Sequence, residues 1–522
     1  MKLATLYTLA AFATVCALIG HVKHTTAAEN GLPNVIVILA DDMGLDSVSA
    51  FNDQMGMKTA AIDALASQGM SFTDAHSTSA VCTPTRYSVL TGRYSWRSRL
   101  KRGIVGKWER PLIEDDRLTL PEMFKQRGYD TACIGKWHLG WNWPKKGGGA
   151  TAKESEVDFG GVVTGGPIDH GFDHYFGDDV PNWPPYAWRV DDKVIGDVNS
   201  TMKAGAMVGV SAGPSVKDWD FRAVLDEYST RWSEYIRQRA DQDRPFFLYA
   251  PMPSPHTPIA PHDSFVGKSN VSEYADFILQ TDSAVGEMMR TLQETGQADN
   301  TLVIFTCDNG TSPKADFAKL ESGGVQLNRN WRGWKADAYE GGHRVPFIVR
   351  WPGKAQPGTT SEQPITLADI MATCAEVVGH DLPADAAEDS VSVLPVVLGQ
   401  EPAKPLHDVV VHHSVSGHFA IRKGDWKLLF CRGSGGWSPP REVEAAKRKL
   451  PKVQLYNLRD DPKETKNLQA ENPEVVAELT EKLKQLIENG RSTPGPNQPN
   501  HAGAKWWSGL PWERPTLVAP KS

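Results

Sequence analysis

The sequence predicts an α/β fold in which a large, mostly parallel sheet is sandwiched by helices and followed by a small C-terminal α+β subdomain. Short apolar runs rich in β-branched residues recur along the chain up to Pro402, and segments with helical spacing lie between them. Continuous apolar runs bounded by turn residues are typical of strands buried on both faces, as in parallel sheets. Strands that alternate with helices indicate helices on both faces of the sheet. Beyond Pro402 such runs become few, which indicates a separate, smaller unit.

Five runs are the predicted central strands. They are residues 35–39, 131–134, 246–249, 302–305 and 345–349. A helix is predicted between the third and fourth runs, over residues 272–295. Its apolar residues, from Ile278 to Leu292, follow helical spacing, and Gly296 ends it.

The C-terminal part of the chain is predicted to hold short strands and one clear helix. Residues 409–411 and 426–430 have the composition of short strands. The helix is expected to have Asn472 as its N-cap and Pro473 as its first residue, and to end at Gly490. The remaining residues are rich in Pro, Gly and Asn and form a predicted tail. Its tryptophans suggest that the tail docks on the body; they are Trp506, Trp507 and Trp512.

Length and composition narrow the class of protein. A chain of 522 residues is long enough for two or three domains, or for one large α/β unit with an appendage. With 40% hydrophobic and 23% charged residues its composition is ordinary for a globular protein, which excludes disordered, collagen-like and coiled-coil chains. The formal net charge of −7 argues against a nucleic-acid-binding protein with a broad basic surface.

The N-terminus has the pattern of an export signal. Lys2 supplies a positive charge, residues 3–20 carry no charged residue, and the small residues 26–28 precede Glu29. An uncleaved membrane anchor is the alternative, because the apolar run approaches the length that a spanning helix needs. Threonines dilute its hydrophobicity and a cleavage site follows, so we expect residues 1–28 to be removed. The mature protein is then exported, periplasmic or secreted, with no membrane attachment.

Five cysteines follow the predicted cleavage site: Cys82, Cys133, Cys307, Cys374 and Cys431. An odd number leaves at least one of them unpaired, and five are too few for a disulfide-built scaffold of this size. Buried free thiols explain most of them. Cys82 is the exception, because of the residues around it.

Chemistry-bearing residues follow four of the predicted strands, where ligands bind in open α/β sheets. They are Asp41 and Asp42, Lys136 and His138, His256, and Asp308 and Asn309. Taken singly, a pair of aspartates after a strand can be a turn, and a lone histidine is more often structural. Together, three carboxylates and one amide predict a metal site, because packed carboxylates repel one another unless a cation lies between them. Oxygen ligands favour Ca²⁺ or Mg²⁺ over zinc. We expect Ca²⁺, with Mg²⁺ as the alternative.

The segment from Cys82 to Arg93 carries the pattern Cys-x-Pro-x-Arg followed by Leu-Thr-Gly-Arg. It resembles the maturation motif of the type I, formylglycine-dependent sulfatases, an arylsulfatase-like family of the alkaline phosphatase superfamily. Further family motifs follow in order at residues 41–44, 135–138, 171–173, 255–258, 308–310, 332–335, 340–346, 351–353 and 455–458, with Asp461, Pro462, Asn467 and Leu468.

The resemblance implies the domain organisation and the maturation of the chain. Residues 29–400 would form the catalytic domain on a large mixed sheet, residues 401–490 a subdomain with an antiparallel sheet, and residues 491–522 the tail. In the family, a separate maturase oxidises the motif cysteine to formylglycine (3-oxoalanine) while the chain is exported or unfolded. This implies the same modification of Cys82, which would also join the metal ligands.

The resemblance also implies roles for the surrounding side chains. Arg86 would hold a hydroxyl of the modified residue, and Lys136 and Lys335 would bind sulfate oxygens. His256 would protonate the departing alkoxide, and His138 would assist proton removal when sulfate is released. The two histidine roles could be exchanged. His343 lies at a position that commonly varies in the family, and we assign it no role.

A hydrated aldehyde at position 82 has a chemical advantage over a thiol or a single hydroxyl. One of its two hydroxyls attacks sulfur and displaces the alcohol. The other then loses its proton, and collapse to the aldehyde expels sulfate without a second displacement at sulfur. A cation polarises the sulfate and stabilises the attacking oxygen. Pro84 suits the first turn of a helix, so residue 82 is expected at a helix N-terminus, where anions are favoured.

The substrate expectation rests on aromatic side chains in the predicted loops, namely Trp141, Trp143, Trp183, Tyr186 and Trp188. Core packing is the commoner role for each alone, but together they indicate a cleft for a sulfated sugar or oligosaccharide. An aryl sulfate is the simpler substrate. Two other functions stay open: a phosphodiesterase or phosphonate monoester hydrolase of the same superfamily, and a catalytically silent protein that binds sulfated glycans if Cys82 is not matured.

Overall fold

The computed structural model describes residues 31–328, 330–501 and 509–512. The predicted signal peptide, residues 1–28, lies outside the described residues, as do Trp506 and Trp507. Among the helices that are described, none combines the length and the apolar character that crossing a membrane requires.

The strands of the described chain are β1 (Asn34–Ala40), β2 (Met70–Phe72), β3 (Ala75–His76), β4 (Asp130–Ile134), β5 (Trp143–Pro144), β6 (Ala150–Thr151), β7 (His174–Gly177), β8 (Arg189–Val190), β9 (Lys193–Val194), β10 (Ser200–Met202), β11 (Gly213–Ser215), β12 (Phe246–Pro251), β13 (Thr301–Cys307), β14 (Phe347–Arg350), β15 (Thr359–Ser361), β16 (Ile365–Thr366), β17 (Val410–His413), β18 (Phe419–Lys423), β19 (Trp426–Leu429) and β20 (Gln454–Asn457). The α-helices are α1 (Ala60–Gln68), α2 (Cys82–Thr91), α3 (Leu120–Gln126), α4 (Val224–Arg239), α5 (Glu273–Glu294), α6 (Phe317–Ser322), α7 (Glu340–His343), α8 (Asp369–Val378), α9 (Leu394–Val397), α10 (Glu442–Lys447) and α11 (Pro473–Asn489).

The main sheet confirms the predicted α/β class and is mixed. Over the described residues its strand order is β15-β2-β14-β13-β1-β12-β4-β7-β8-β9. The central strands β13, β1, β12, β4 and β7 are parallel, and antiparallel pairs flank them on both sides. The run at residues 345–349 differs in detail from its prediction. Its strand, β14, starts only at Phe347 and runs antiparallel to β13, and Pro346, which has no N–H for a sheet hydrogen bond, lies before it.

The parallel register places four strand ends side by side. Leu39 of β1 pairs with Pro251 of β12, and Ala40 pairs with Cys307 of β13. Because β4 continues the parallel order beside β12, the residues that follow these four strands emerge at one edge of the sheet. The sheet therefore brings together residues that are far apart in the sequence.

Helix α2 packs at this edge and is buried along its whole length. It begins at Cys82 and ends at Gly92, which adopts a left-handed conformation with φ of 63°. All ten helical residues are buried, so α2 has no solvent-facing stripe. Helix α5, by contrast, is amphipathic as predicted. The side chain of Ser272 caps it by accepting a hydrogen bond from the N–H of Ala275.

The C-terminal subdomain is an antiparallel sheet in the order β17-β18-β19-β20, with α11 packed against β18 and β19. Leu479, Leu483 and Ile487 of α11 join the buried cluster of this sheet. Pro473 is the first residue of α11, and Asn472 precedes it. The side chain of Asn472 does not cap the helix; its Nδ2 donates instead to the carbonyl oxygen of Leu468.

The tail contacts this subdomain at one described tryptophan. The rings of Trp512 and Phe430 meet edge to face with centroids 6.2 Å apart. Trp512 also packs against the buried hydrophobic cluster of the antiparallel sheet. This contact agrees with a docked tail, and burial of a large aromatic surface is its physical cause.

A chain of buried hydrogen bonds joins the two sheets. Lys427 Nζ of β19 donates to His343 Nε2 at 3.1 Å, and His343 Nδ1 faces His76 Nδ1 at 3.0 Å. His76 Nε2 lies 2.8 Å from Asp74 Oδ1. A lysine only donates and a carboxylate only accepts, so the directions are fixed: His343 donates to His76, which donates to Asp74. We name these four residues the histidine relay. It gives His343 a structural role, where the sequence indicated none.

The relay also accounts for a group that could otherwise suggest a second metal site. Glu340, His76 and His343 lie close enough to share a cation. The relay already uses the lone pair of His76 Nδ1, and Glu340 pairs with Lys427 at 2.8 Å and with Arg344 at 2.9 Å. These two cations hold the pKa of Glu340 well below its usual value although burial opposes this. The cluster therefore balances its own charge.

His412 of β17 completes the packing around the relay. Its ring stacks on His343 with centroids 3.4 Å apart, and within the described chain neither of its ring nitrogens has a hydrogen-bond partner. Burial lowers the pKa values of His412, His343 and His76; the next largest cause is Lys427 at His412 and His412 at His343. The folded protein therefore holds these imidazoles neutral to lower pH than the unfolded chain, which protonates them below pH of about 6.5. Their contribution to stability is therefore present at neutral pH and lost as the pH falls.

Removing the titration of His412 tests this linkage. Glu464 beside Lys427 works in the opposite sense, because burial raises its pKa to about 7, so the comparison must be between variants. We expect His412→Leu to reduce the slope of unfolding free energy against pH by an amount that grows as the pH falls and approaches about one proton, or about 1.4 kcal/mol per pH unit, near pH of about 5.5. Urea unfolding between pH 7.5 and 5.5 measures the slope. An unchanged slope in a folded variant would show that His412 is not held neutral.

Candidate active site

The residues that follow the four adjacent strands converge as predicted. Asp41 and Asp42 follow β1, Asp308 and Asn309 follow β13, His256 follows β12, and Lys136 and His138 follow β4. Helix α2 contributes Cys82 and Arg86, and the loop before α7 contributes Lys335. Each of these side chains is buried or nearly so.

The three carboxylates are matched by three cations. Arg86 donates to Asp308 Oδ2 from Nε at 3.0 Å and from Nη2 at 2.7 Å. Lys136 forms a short ion pair with Asp41. Lys335 Nζ lies 2.5 Å from Asp42 Oδ1. The guanidinium nitrogen Nη2 of Arg86 also lies 3.6 Å from Asp41 Oδ2. These pairs bring charges from distant parts of the chain into one buried cluster.

Two oxygen atoms in this cluster are left over. Asp41 Oδ1 and Asn309 Oδ1 are buried, and neither has a hydrogen-bond partner within the described chain. Asn309 Nδ2 donates to Asp42 Oδ1 at 2.8 Å, which fixes the amide. Buried acceptors without a donor are costly unless a cation or water meets them. The donor set of carboxylate and amide oxygens therefore fits a hard divalent cation such as Ca²⁺ or Mg²⁺.

The titration of the aspartates points the same way. Burial and the charge of Asp41 raise the pKa of Asp308 well above its usual value, although Arg86 opposes this. Lys136 and the other cations hold the pKa of Asp41 well below its usual value against the effect of burial. Asp41 and Asp308 thus repel each other although each has a cationic partner. A dication among these oxygens would remove that repulsion.

Cys82 lies at the N-terminus of α2, inside this cluster. Its Sγ lies within 4.8 Å of carboxylate oxygens of both Asp41 and Asp308. The side chain is 3% exposed. The first turn of a helix presents free N–H groups and a positive dipole end, which favour an anion at this position. The predicted position of residue 82 at a helix N-terminus agrees with this geometry.

The two predicted catalytic histidines are both neutral, but they differ in their hydrogen-bond partners. Burial lowers the pKa of each to about 3, and the charge of Lys136 adds to the effect at His138. His256 Nδ1 donates to the carbonyl oxygen of Thr257 at 2.6 Å, so its Nε2, 4.0 Å from Asp42 Oδ2, carries the lone pair. His138 has no described partner at either ring nitrogen.

The backbone at His138 is held by a residue that we did not single out from the sequence. His138 has a positive φ of 56°, and its N–H donates to Asp179 Oδ1 at 3.0 Å. The same oxygen accepts the indole N–H of Trp141 at 3.0 Å. Asp179 follows β7, the fifth parallel strand. The rule that ligands gather at strand ends, applied to that strand, could have found it.

The aromatic residues predicted to form a sugar cleft do not act together. Trp141, Trp143 and Tyr186 are buried, and the guanidinium of Arg189 stacks on the first two at 4.9 and 4.8 Å. The prediction is wrong for these three: a buried cation packs on Trp141 and Trp143, and Tyr186 packs on Phe221 and donates to backbone carbonyls. Trp188 is partly buried against Phe176, Trp219 and Tyr228. Trp183 remains at the site, with its ring centroid 5.2 Å from that of His138.

The cysteines of the described chain are all free and buried. Burial raises the pKa of Cys133, Cys307, Cys374 and Cys431. A protonated thiol away from solvent is unreactive, so these four behave as small apolar residues.

Comparisons with known proteins agree with the geometry. The family model described as Sulfatase matches residues 33–380, that described as the C-terminal region of aryl-sulfatase matches residues 405–516, and that described as N-sulphoglucosamine sulphohydrolase, C-terminal, matches residues 332–438. An N-acetylgalactosamine-6-O-sulfatase of Bacteroides thetaiotaomicron is 34% identical over 495 residues, which cover 87% of this chain and 93% of that protein. An arylsulfatase of Hemicentrotus pulcherrimus is 30% identical over 406 residues, covering 76% and 67%.

The fold has solved counterparts as well. A structure from a study of how Bacteroides thetaiotaomicron metabolises multiple glycosaminoglycans has a TM-score of 0.75 and 32% identity. The match covers 87% of this chain and 99% of that one. The similarity therefore includes both the main sheet and the C-terminal subdomain.

Calcium binding tests the carboxylate cluster. We expect Ca²⁺ at about 100 times its dissociation constant to raise the unfolding free energy by about 2.7 kcal/mol. Asp41→Asn removes one anionic ligand, so it should weaken Ca²⁺ binding at least about tenfold in calorimetry, as loss of about 1.4 kcal/mol implies. Asp282→Asn changes a buried carboxylate that accepts from the N–H groups of Ala61 and Ile62 and should leave binding unchanged. Equal affinities in both variants would contradict the site, and Mg²⁺ titrations decide between the ions.

Proposed function

The chain belongs to the sulfatase family, whose members hydrolyse sulfate esters, and from this premise we propose that it is an exported enzyme that desulfates a sulfated sugar. Its nucleophile is residue 82 in the formylglycine form, and a divalent cation assists it. The observation that carries the proposal is the position of Cys82, at a helix N-terminus and within 4.8 Å of the carboxylates of Asp41 and Asp308. An attacking oxygen at that position lies at the positive end of α2 and near the cations Arg86 and Lys136.

Asp41, Asp42, Asp308, Asn309 and residue 82 are the proposed metal ligands. Their unpaired oxygens and mutual repulsion support Ca²⁺, with Mg²⁺ as the alternative. When bound, the cation supplies charge that polarises the sulfate group.

The protein's own cations are proposed to bind and orient the sulfate. Lys136 and Lys335 carry protonated ammonium groups, because the facing aspartates raise the pKa of each against the effect of burial. They contact different carboxylates of the cluster, Lys136 that of Asp41 and Lys335 that of Asp42. Each ammonium has further N–H groups to donate to sulfate oxygens, whose charge changes as the S–O bond breaks. Arg86 is fixed by Asp308 and by the carbonyl oxygen of Lys136 at 3.0 Å, so it presents a rigid donor next to residue 82.

The histidines are proposed to move the protons. His256 is the acid for the departing alkoxide: its Nδ1–H is engaged with Thr257, so its Nε2 is the atom that takes up and delivers a proton. The negative charge of a bound sulfate ester raises the pKa of this imidazole relative to the empty site. His138, neutral and with unpaired ring nitrogens, is the base that takes the hydroxyl proton of residue 82 when sulfate is released. The reverse assignment is the alternative.

Maturation is proposed to precede folding. Cys82 is 3% exposed, and every residue of α2 is buried. A maturase that reads the motif from Cys82 to Arg93 cannot reach these side chains in the folded protein. The modification therefore belongs to the unfolded chain, during or before export.

The substrate class is proposed from the relatives together with the site. A relative of 34% identity is named for 6-O-sulfated N-acetylgalactosamine, and another is named an arylsulfatase. We propose a sulfated amino sugar, free or at the end of a chain, with 6-O-sulfo-N-acetylgalactosamine as the first compound to test. Aryl sulfates serve as simple reporters of the same reaction.

Replacing the nucleophile tests the chemistry. We expect Cys82→Ala to lower kcat at least about 10³-fold, because loss of a nucleophile removes the covalent step while substrate binding remains. Cys374→Ala, in another buried free thiol, is the matched control and should keep its activity. Peptide mass across residue 82 should show CHO in place of CH₂SH in active protein. An unmodified thiol in active material would overturn the proposal, and an unmodified thiol in inactive native material would favour a binding protein.

Paired esters separate the sulfatase from a phosphate-ester or phosphonate-ester hydrolase. The three cations that contact the carboxylates are each already paired, so none of them is free for the second negative charge of a phosphate monoester. We therefore expect kcat/KM for 4-nitrophenyl sulfate to exceed that for the doubly charged 4-nitrophenyl phosphate by about 100-fold. A phenyl phosphonate monoester is singly charged, as the sulfate ester is, so membership of the sulfatase family and not charge is the reason to expect it to be the slower substrate. The reverse order would replace the sulfatase with its superfamily rival.

A further inference from the structure

One wall of the active site carries a cation without a counter-ion. The loop around Val105 crosses the start of α2, because the N–H of Val105 donates to Thr83 Oγ1 at 3.3 Å. Two residues further on, Lys107 Nζ lies 6.0 Å from the ring centroid of Trp183. No carboxylate of the described residues lies within ion-pair distance of Lys107. The side chain is half-buried, so it combines a fixed position with access to solvent.

Trp183 connects this cation to the catalytic centre. Its ring meets that of His138 in a T-shaped contact, with 5.2 Å between ring centroids and an interplanar angle of 83°. The ammonium of Lys107 and the imidazole of His138 therefore both lie close to the ring of Trp183. Trp183 is itself half-buried. An indole that is partly exposed next to catalytic groups is a surface on which a sugar ring packs.

The residue before Trp183 adds an unpaired acceptor. Asn182 is 9% exposed, and its Nδ2 donates to the carbonyl oxygen of Gly209 at 2.9 Å. Its Oδ1 is buried and has no partner within the described chain. Gly209 in turn lies against Thr257, where an added Cβ would come within 3.2 Å of Thr257 Oγ1. The wall thus runs from His138 through Trp183 and Asn182 to the residue after His256.

We propose that Lys107, Trp183 and Asn182 form a binding subsite for a second anionic group of the substrate, next to the sulfate that is cleaved. This proposal rests on the proposed sulfatase function and deepens it. Trp183 packs against the sugar ring, Asn182 Oδ1 accepts from a hydroxyl or amide N–H, and Lys107 binds the anion. The anion is either the carboxylate of a neighbouring uronic acid or a second sulfate. The substrate is accordingly a polyanionic glycan fragment.

The chemistry at Lys107 favours such an occupant. An ammonium at 6.0 Å from a ring centroid gains little from the ring, because cation–π attraction fades at about that distance. Its three N–H groups remain available. A charge-assisted contact to a carboxylate or sulfate is worth more than one to a neutral hydroxyl. A substrate with a single negative charge uses that charge at the catalytic centre, so it has no second anionic group to pair with Lys107.

Kinetics of Lys107→Gln on substrates of different charge test the subsite. The substrates are 4-nitrophenyl sulfate, 6-O-sulfo-N-acetylgalactosamine, its 4,6-disulfate, and a disaccharide of the 6-sulfated sugar with a hexuronate. We expect KM for one or both doubly anionic substrates to rise about 5- to 10-fold with kcat unchanged. KM for the singly charged substrates stays the same. The salt dependence of KM for the affected substrate should also weaken. The substrate affected identifies the anion as carboxylate or sulfate.

Two controls make the result decisive. Lys447→Gln removes the same charge from exposed α10 in the C-terminal subdomain and should change none of these constants. Trp183→Phe keeps an aromatic surface and should keep the difference between singly and doubly charged substrates. If Lys107→Gln has the same KM and kcat as the parent protein on every substrate, the proposed subsite is wrong while the sulfatase function stands. If the parent hydrolyses no sulfate ester, the proposed function itself fails.

Discussion

Charge balance in a buried site is the constraint on which the rest of this structure depends. Three aspartates that follow two neighbouring strands lie side by side, and each is matched by a cation from a different part of the chain. A carboxylate on the surface is stabilised by water, but these three are buried and need cations as partners. The parallel sheet, the buried helix α2 and the loop before α7 are all required to bring the six charges together. The fold can thus be understood as a scaffold for this cluster.

Much of the scaffold could be predicted because its signals are local. Five apolar runs correspond to strands of the main sheet, and the residues after four of them form the site. The direction of β14 could not be predicted, since strand order and pairing are set by contacts between distant segments. Helix α2 shows no apolar stripe, because it is buried on every side, so only Pro84 and the motif indicated it. The organisation of the tail stays a prediction beyond Trp512.

The features that sequence reasoning missed are those that depend on pairs. Nothing in the sequence around Asp179 shows that its carboxylate accepts a hydrogen bond from the backbone N–H of His138. Nor does the sequence show that the Nδ1 atoms of His343 and His76 face each other, because these residues belong to separate elements of the fold. The aromatic residues near Arg189 form a core because a guanidinium lies between them. Hydrophobic periodicity carries no information on such partners, because a polar contact is defined by geometry and not by composition.

The state of the thiols has a consequence for where this protein can fold. No cysteine of the described chain is paired, and the antiparallel sheet is joined to the α/β domain by hydrogen bonds and ion pairs. Its native state therefore does not depend on the redox potential of its compartment. A reducing cytosol and an oxidising periplasm should yield the same fold. The proposed maturation of Cys82 changes only one side chain of this fold, so a well-folded preparation is no guarantee of a competent one.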